Sequence, residues 1–103
     1  MNSVNIIGYI TKDPVLKETK NGKKYCNFVT AVNSGFGKNQ KTAFVNCIVW
    51  NNGAEALCKN GKKGFRVAIS GHIETGTYKK EKETKYHVHV VVDNIMYVTS
   101  KNK

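Results

Sequence analysis

The chain has 103 residues and a formal net charge of +10, from 17 lysines and arginines against 7 aspartates and glutamates. Arg66 is the only arginine, so the positive charge is almost entirely lysine. This length allows one domain with a modest core, and a hydrophobic fraction of 40% is typical of a globular chain rather than a disordered one. The surplus charge favours a polyanion as partner, with nucleic acid ahead of an anionic membrane.

The same composition argues against several other classes of protein. The apolar start at 4–10 is short, and no run approaches the roughly 18 apolar residues of a membrane span. An odd number of widely spaced cysteines argues against a disulfide framework and predicts a cytoplasmic location. His87 and His89 share one strand face and could in principle chelate a metal, but the favoured interpretation is that both are solvated residues of a strand. We therefore expect no membrane segment, metal or cofactor.

The first part of the chain has the pattern of strands separated by tight turns. We predict a strand at Ser3–Thr11, a turn at Asp13-Pro14 and a short extended piece at Val15–Thr19. Asn21-Gly22 is a strong hairpin signal, and a second strand at Lys24–Asn33 follows it. This segment therefore predicts two barrel strands with a short connection.

The middle of the chain contains the only predicted helix. A flexible basic loop at Ser34–Lys41 leads into a third strand at Thr42–Trp50. Asn51-Asn52-Gly53 interrupts the strands, and good helix formers follow at Ala54–Lys59, with an asparagine available to cap the helix. A turn at Gly61–Gly64 then ends this helical segment.

Strand patterns return in the last part of the chain. A fourth strand is predicted at Phe65–Thr75, followed by a second long basic loop at Gly76–Glu83. A fifth strand is predicted at Lys85–Val92, then a turn at Asp93-Asn94 and an extended piece at Ile95–Val98.

The order of these elements predicts the fold. Five strands with one short helix between strands 3 and 4 are typical of the OB-fold, an all-β, five-stranded Greek-key barrel. An SH3-like barrel is the competing all-β fold, and the position of the helix favours the OB-fold. We expect one domain over residues 1–100, with a short basic end at 101–103.

The predicted third strand has two distinct faces because side chains alternate along a strand. One face is small and apolar and suits the barrel interior: Val45, Cys47 and Val49. The other mixes aromatic, aliphatic and amide side chains and suits a partly wet surface: Phe44, Asn46, Ile48 and Trp50. Phe44 and Trp50 would lie roughly 20 Å apart, as two separate stacking platforms.

Two further aromatics lie in the basic loops. Phe36 is flanked by glycines and followed by Lys38 and Lys41, and Tyr78 is followed by a run of lysines. An aromatic ring among lysines can stack a nucleobase, and stacking is worth roughly 1–3 kcal/mol per base. The sequence therefore predicts base-stacking residues of a single-stranded nucleic-acid binder at Phe36, Phe44, Trp50 and Tyr78, although packing alone explains Phe44 and Trp50 about equally well.

The lysines beside these rings predict contacts with phosphates rather than with base edges. Lysine acts as a mobile point charge, whereas arginine pairs with guanine through two hydrogen bonds. The predicted phosphate-contacting residues are Lys12, Lys38, Lys41, Lys62, Lys63, Lys79, Lys80, Lys82 and Lys85. A nuclease would need clustered carboxylates for metal ions, and Asp13 and Asp93 are isolated in sequence, so we expect a non-enzymatic binder.

The ordered motifs of the chain resemble those of the bacterial single-stranded DNA-binding protein family. The matching segments run in order along nearly the whole chain: Asn5–Pro14, Asn21-Gly22, Thr30–Asn33 with Phe36, Asn46–Trp50, Ala54-Glu55, Lys63-Gly64, and Gly71–Thr75 with Tyr78. No single segment is decisive, but their order and spacing together make the resemblance specific.

The resemblance implies an OB-fold that assembles, usually as a homotetramer, with the first strand at a subunit interface. It also implies sequence-tolerant binding and protection of single-stranded DNA in replication, recombination or repair. The family's stacking aromatics fall on Phe36, Phe44, Trp50 and Tyr78, the four residues that the sequence pattern itself predicts.

One departure from the family pattern concerns the end of the chain. Members that serve replication carry a long tail with an acidic tip that recruits enzymes, whereas this sequence ends at Lys101-Asn102-Lys103. Two interpretations fit this end. The tail has been truncated, or the chain is a short member without a tail, as phage, plasmid and competence-related versions are. No tail-mediated recruitment is expected from this chain. The alternatives are a dimeric primosome-type OB protein and an RNA-binding or cold-shock-like module.

Overall fold

A computed structural model gives the architecture of the protein. It describes residues 1–35, 37–80 and 83–98, with the side chains of 77–86 left outside the description. The strands are β1 (Val4–Ile10), β2 (Lys17–Glu18), β3 (Lys24–Ser34), β4 (Lys41–Trp50), β5 (Arg66–Lys80) and β6 (Glu83–Tyr97), and the helix α1 spans Asn51–Asn60.

The strands form one sheet that closes on itself. Its order is β1-β5-β6-β4-β3-β2, and β1 also pairs with β3, which closes every strand except β2 into a five-stranded barrel. The two-residue β2 pairs with β3 alone and adds a short edge beside the barrel. Only the β4–β6 pair is parallel among the described pairings, and α1 connects the third and fourth barrel strands, β4 and β5. This architecture confirms the predicted all-β OB-fold with one short helix.

Closure of the barrel depends on a close approach between β1 and β3. Tyr9 pairs with Ala31 and Ile10 with Thr30 at this junction. A Cβ atom at Gly8 would lie 2.2 Å from the carbonyl oxygen of Ala31, which leaves no room for a side chain. The absence of a side chain at Gly8 therefore lets β1 approach β3 closely enough to pair with it.

The core lies inside the barrel and is covered at one end by α1. Fully buried side chains come from different strands and from the helix, and they include Ile10, Cys26, Leu57 and Val67. On β4, Cys47 and Val49 are buried and Val45 is half-buried, whereas Phe44 and Trp50 are exposed. The two predicted faces of this strand are therefore confirmed.

The helix is longer than its sequence pattern predicts. It begins at Asn51 rather than Ala54 and ends at Asn60, and it buries Ala54 and Leu57 against the barrel. Trp50 occupies the capping position and makes no side-chain hydrogen bond there, so the prediction of an asparagine cap is wrong. Asn51 itself has a φ of 56°, a left-handed conformation that asparagine tolerates better than most residues. Across the described residues, no helix has the length and apolar character that a membrane crossing needs.

The β5–β6 hairpin differs most from the sequence-based prediction. The predicted loop at 76–83 is wrong for most of its length, because β5 continues to Lys80 and β6 starts at Glu83; residues 81–82 lie outside the described residues. The predicted turn at Asp93-Asn94 is also wrong. Ser70 pairs with Asn94 and Gly71 with Val92, so Asp93 is an extra residue in a bulge of an unbroken strand.

Candidate nucleic-acid interface

A groove of about 1100 Å³ crosses the outer surface of the barrel. Its floor is the outer face of β3 and β4, one wall is the segment Thr11–Lys17, here called the first loop, and the other wall is β6. The side chains and backbone that line it come from these elements: Thr11, Lys12, Asp13, Val15, Lys17, Asn27, Phe28, Val29, Phe44, Asn46, Cys47, Ile48, His87 and His89.

The floor of the groove combines an aromatic ring with amides and aliphatic side chains. Phe44 is 68% exposed in the middle of the strand surface, where it has little apolar cover within the chain. Asn46 faces Val29, and Ile48 faces Asn27, across the antiparallel β3–β4 pair. Since opposed residues in such a pair lie on the same face, these side chains form one continuous surface beside the ring.

The first loop brings positive charge to the edge of the groove. Lys12 and Lys17 are exposed and line it from the same side as Asp13. The loop is fixed at two points: the Thr11 hydroxyl donates to the carbonyl of Val29 at 3.0 Å, and a carboxylate oxygen of Asp13 accepts the backbone N–H of Lys63 at 2.8 Å. These hydrogen bonds hold the loop against β3 and against the turn after α1. The side chains of the two lysines therefore extend from a segment whose backbone is anchored.

The β6 wall carries two histidines. His87 and His89 lie on the same face of the strand, with ring centroids 5.3 Å apart and an angle of 26° between the ring planes. Their stacked rings line the groove that Phe44 and Lys12 also line. This wall reaches the floor because β6 pairs in parallel with β4, at Cys47 with Val90 and Ile48 with Val91.

Trp50 lies at the far end of β4 and does not line the groove. The residue is 36% exposed, and its ring contacts the ring of Tyr25 on β3, with centroids 5.3 Å apart and planes at 38°. Tyr25 and Trp50 are opposed residues on the same outer face that carries Phe44. The two predicted aromatics on β4 therefore share one surface, but only Phe44 is part of the groove.

The other predicted contact residues either do not line the groove or have side chains outside the described part of the chain. Lys38 and Lys41 are exposed around the β3–β4 connection, and Lys62 and Lys63 are exposed in the turn after α1. Four more of the predicted residues lie on the β5–β6 hairpin, where only their backbone is described: Tyr78, Lys79, Lys80 and Lys85. Phe36 and Lys82 lie outside the described residues. The groove itself therefore contains Lys12 and Phe44 from the predicted set.

Sequence reasoning missed several residues of the groove. Lys17 follows the Asp13-Pro14 turn in a piece predicted as extended. Its positive charge near that turn and near Lys12 could have indicated a contact with the ligand. Asn27 and Val29 alternate with buried residues on β3, so their outward direction was also readable. His87 and His89 were recognised as sharing a strand face, but no local pattern around them indicates which strand lies beside β6.

The groups that line the groove are suited to contacts with a ligand. Burial raises the pKa of the Cys47 thiol, which keeps it protonated, and its sulfur lies 3.6 Å from the hydroxyl of Thr30. Within the described part of the chain, no three histidines, cysteines or carboxylates are grouped as a metal site would need. What the groove offers is a flat ring, amides, and lysines at its edge, which suit an extended anionic chain with planar groups.

A closed five-stranded barrel with such a groove across its strands defines an OB-fold binding protein. Comparison of the sequence with known families gives a more specific result. The Single-strand binding protein family matches residues 1–98, and the chain therefore belongs to this family.

Individual relatives are similar over nearly the whole chain. It is 35% identical to the single-stranded DNA-binding protein of Oceanobacillus iheyensis over 105 aligned residues, which cover 98% of this chain and 65% of that protein. It is also 35% identical to single-stranded DNA-binding protein 1 of Lactococcus lactis, with 100% of this chain and 71% of that protein covered. Single-stranded DNA-binding protein 3 of Streptococcus agalactiae is 35% identical as well, with 99% and 77% covered. The chain thus spans about two thirds to three quarters of the length of these relatives.

Proposed function

We propose that this protein binds single-stranded DNA with little sequence preference, and protects it during replication, recombination or repair in the bacterial cytoplasm. The observation that carries the proposal is the exposed Phe44 on the floor of a groove that is edged by Lys12 and Lys17. Membership of the Single-strand binding protein family and the names of the relatives support it.

The mechanism combines charge neutralisation with stacking. Lysines neutralise backbone phosphates and release the counterions that surround the free strand, which supplies sequence-independent affinity. Phe44 then stacks a base within the groove, and Trp50 with Tyr25 provides a second aromatic surface farther along β4. In this proposal Phe36 and Tyr78 extend the stacking, and lysines of the connecting segments contact phosphates: Lys38, Lys41, Lys62, Lys63, Lys79, Lys80, Lys82 and Lys85.

This mechanism needs no reaction step, so we propose a binding protein without enzymatic activity. Stacking uses the π-face that every base has, which makes binding tolerant of sequence. The near absence of arginine agrees with this, since guanine-specific contacts favour arginine over lysine. A strand held in this way is kept from pairing with its complement.

The proposal is tested by equilibrium binding of fluorescently labelled oligo(dT), followed by anisotropy. We expect tight binding of oligo(dT), with a duplex of the same length and oligo(U) as weaker competitors. A preference for the duplex would contradict single-strand binding. A preference for oligo(U) would instead favour the RNA-binding alternative.

We also propose that the protein assembles as a homo-oligomer, with a tetramer as the expected state. Ile7, Ala68 and Met96 occupy one row across β1, β5 and β6, since Ile7 pairs with Ala68 and Ala68 pairs with Met96. Ile7 is 59% exposed and Met96 is 63% exposed. Apolar side chains grouped on an exposed strand surface are typical of a contact between subunits.

Substitution within this row tests the assembly. Ile7→Lys places a charge in the row, and we expect it to lower the solution mass measured by light scattering after gel filtration. Val15→Lys is the matched control, because Val15 is 61% exposed but lies in the groove lining. A wild-type dimer would favour the primosome-type alternative, and a wild-type monomer would contradict the assembly.

A further inference from the structure

We propose that the hairpin joining β2 to β3 is a further contact site for single-stranded DNA, which the strand reaches after it leaves the groove across Tyr25 and Trp50. The phosphates of this part of the strand contact Lys20 and Lys23, two residues outside the groove lining. This inference rests on the proposed function and extends its site. The ligand recognised there is an anionic backbone that carries planar bases.

One row of side chains connects the groove to this hairpin. Lys17 on β2 pairs with Tyr25 on β3, and Tyr25 pairs with Trp50 on β4. Opposed residues of antiparallel strands lie on the same face, so these three residues form a row across the outer surface. Lys17 also lines the groove that Phe44 lines. A strand that stacks on Phe44 can therefore continue along this row on the same face of the barrel.

The middle of the row is a pair of aromatic rings in contact. The centroids of Tyr25 and Trp50 are 5.3 Å apart, and Trp50 is still 36% exposed. Contact with Tyr25 restricts the rotation of the Trp50 side chain in the free protein. Less side-chain entropy is then lost when a base stacks on the exposed surface, which makes the pair a preorganised platform.

Hydrogen bonds fix the turn of the hairpin. The N–H of Thr19 donates to the carbonyl of Lys23 at 2.8 Å, and the N–H of Lys23 donates to the Thr19 hydroxyl at 3.1 Å. The N–H of Gly22 donates to the carbonyl of Thr19 at 3.0 Å, and Gly22 has a φ of 86°, which glycine adopts readily. Alternation along the chain from Tyr25 places Lys23 on the outer face, and Lys20 is exposed within the turn.

The carboxylates near this hairpin lie on its other face. Glu18 is the only acidic residue of the hairpin, and it pairs with Lys24. Lys24 also forms an ion pair with Glu55 of α1, at 3.1 Å. That face therefore combines one lysine with two carboxylates, whereas the outer face has Lys17 and Lys23. The outer face is the one that attracts phosphate.

The expected magnitude follows from counterion release. Each phosphate that a protein neutralises on a single strand adds about 0.7 to the steepness of the log–log dependence of affinity on salt. Removal of the charges of Lys20 and Lys23 should therefore make the slope less steep by roughly 1.4. Between about 50 and 200 mM salt, this difference narrows the affinity gap between the wild type and the variant by roughly sevenfold.

The experiment compares the wild type with Lys20→Gln/Lys23→Gln by fluorescence anisotropy over this salt range. The labelled oligo(dT) is longer than the roughly 4–16 nucleotides that one OB-fold covers. The control Lys24→Gln/Lys59→Gln removes the same formal charge, from a lysine already paired with Glu55 and from an exposed lysine of α1. We expect the slope to become less steep by roughly 1.4 in the hairpin variant and by less than about 0.4 in the control.

Two results would overturn the hairpin site and leave the proposed function intact. The first is tight binding with equal salt slopes in the wild type and the hairpin variant. The second is an equal change of slope in the hairpin variant and the control, because the effect would then come from the overall charge of the protein. Absence of oligo(dT) binding by the wild type at about 50 mM salt would overturn the proposed function itself.

A double-mutant cycle with Trp50→Leu tests the path across the aromatic pair. If one stretch of DNA contacts both places, Lys20→Gln/Lys23→Gln should cost less affinity once Trp50 is replaced. We expect the logarithm of that loss to be at most about half as large in the Trp50→Leu background. An identical loss in both backgrounds would overturn the path. Circular dichroism verifies folding, and Tyr25→Leu replaces Trp50→Leu in the cycle if the latter does not fold.

Discussion

Phe44 shows how far the direction of one side chain on a β-strand can be predicted from the sequence. The alternation along 42–50 predicts that its ring points away from the core, and Phe44 is indeed 68% exposed. The same alternation predicts Trp50 on that face, but not its contact with Tyr25, since this contact depends on the register of β3 with β4. Direction is a local property of the strand, whereas the neighbour across the sheet is not.

Replacement of Phe44 tests stacking directly. We expect Phe44→Ala to weaken oligo(dT) binding by roughly 1–3 kcal/mol, or about 5- to 150-fold, because the base loses its flat apolar partner. Fluorescence anisotropy at one salt concentration measures this loss. Val98→Ala is the matched control, since Val98 is 52% exposed and lies outside the groove lining. Equal affinity of Phe44→Ala and the wild type would contradict the stacking role.

His72 makes the stability of the protein depend on pH. A hydrogen bond to Glu74 and, as the second cause, a hydrogen bond to Asp93 raise the pKa of His72 above its ordinary value. A raised pKa means that the folded state binds the proton more tightly than the unfolded chain does. The stabilisation is therefore fully present below the unfolded pKa of about 6.5, and it is lost as the pH rises through the folded pKa.

Thermal unfolding of His72→Gln measures this contribution. We expect the variant to be less stable than the wild type at about pH 5.5, with a smaller difference at about pH 8.5. Asn94→Ala, at an exposed position on β6, serves as control and should shift the midpoint equally at both pH values. A difference between the wild type and His72→Gln that does not change with pH would contradict the raised pKa.

At the scale of elements, the sequence predicts strands and the helix better than it predicts where they end. Glycine and lysine composition favours a loop over 76–83, yet the hairpin keeps pairing to Lys80 with Glu83. Pairing with a partner strand outweighs local propensity there. Asp93-Asn94 has the composition of a turn, but one bulged residue is enough to accommodate it within β6.

The junction of β1 and β3 is the element on which closure of the barrel depends. We expect Gly8→Ala to destabilise the protein by roughly 1–3 kcal/mol, because the added methyl group would meet the Ala31 carbonyl oxygen and the Cγ2 atom of Thr30. Urea unfolding measures the change. Asn27→Ala on the exposed face of β3 is the control, with an expected change within about 0.5 kcal/mol. Wild-type stability in Gly8→Ala would show that β1 can close the barrel without this close approach.

At the scale of the whole molecule, the groove is assembled from parts that are distant in sequence. The first loop and Phe44 are recognisable separately, but Lys17 and the histidines line one groove only because β6 pairs in parallel with β4. No local pattern carries that information. Fold class and the exposed aromatic that lines the groove were therefore predictable from the sequence, and the histidine wall was not.

The central claim is that phosphate neutralisation and stacking on this face together hold single-stranded DNA. A titration of the intrinsic fluorescence of Trp50, the only tryptophan, with oligo(dT) over about 50 to 300 mM salt tests it most directly. If four or more phosphates are neutralised, we predict quenching on binding and a log–log salt slope of about −3 or steeper. Tight binding without salt dependence, or saturation with oligo(dT) that leaves Trp50 fluorescence unchanged, would contradict it.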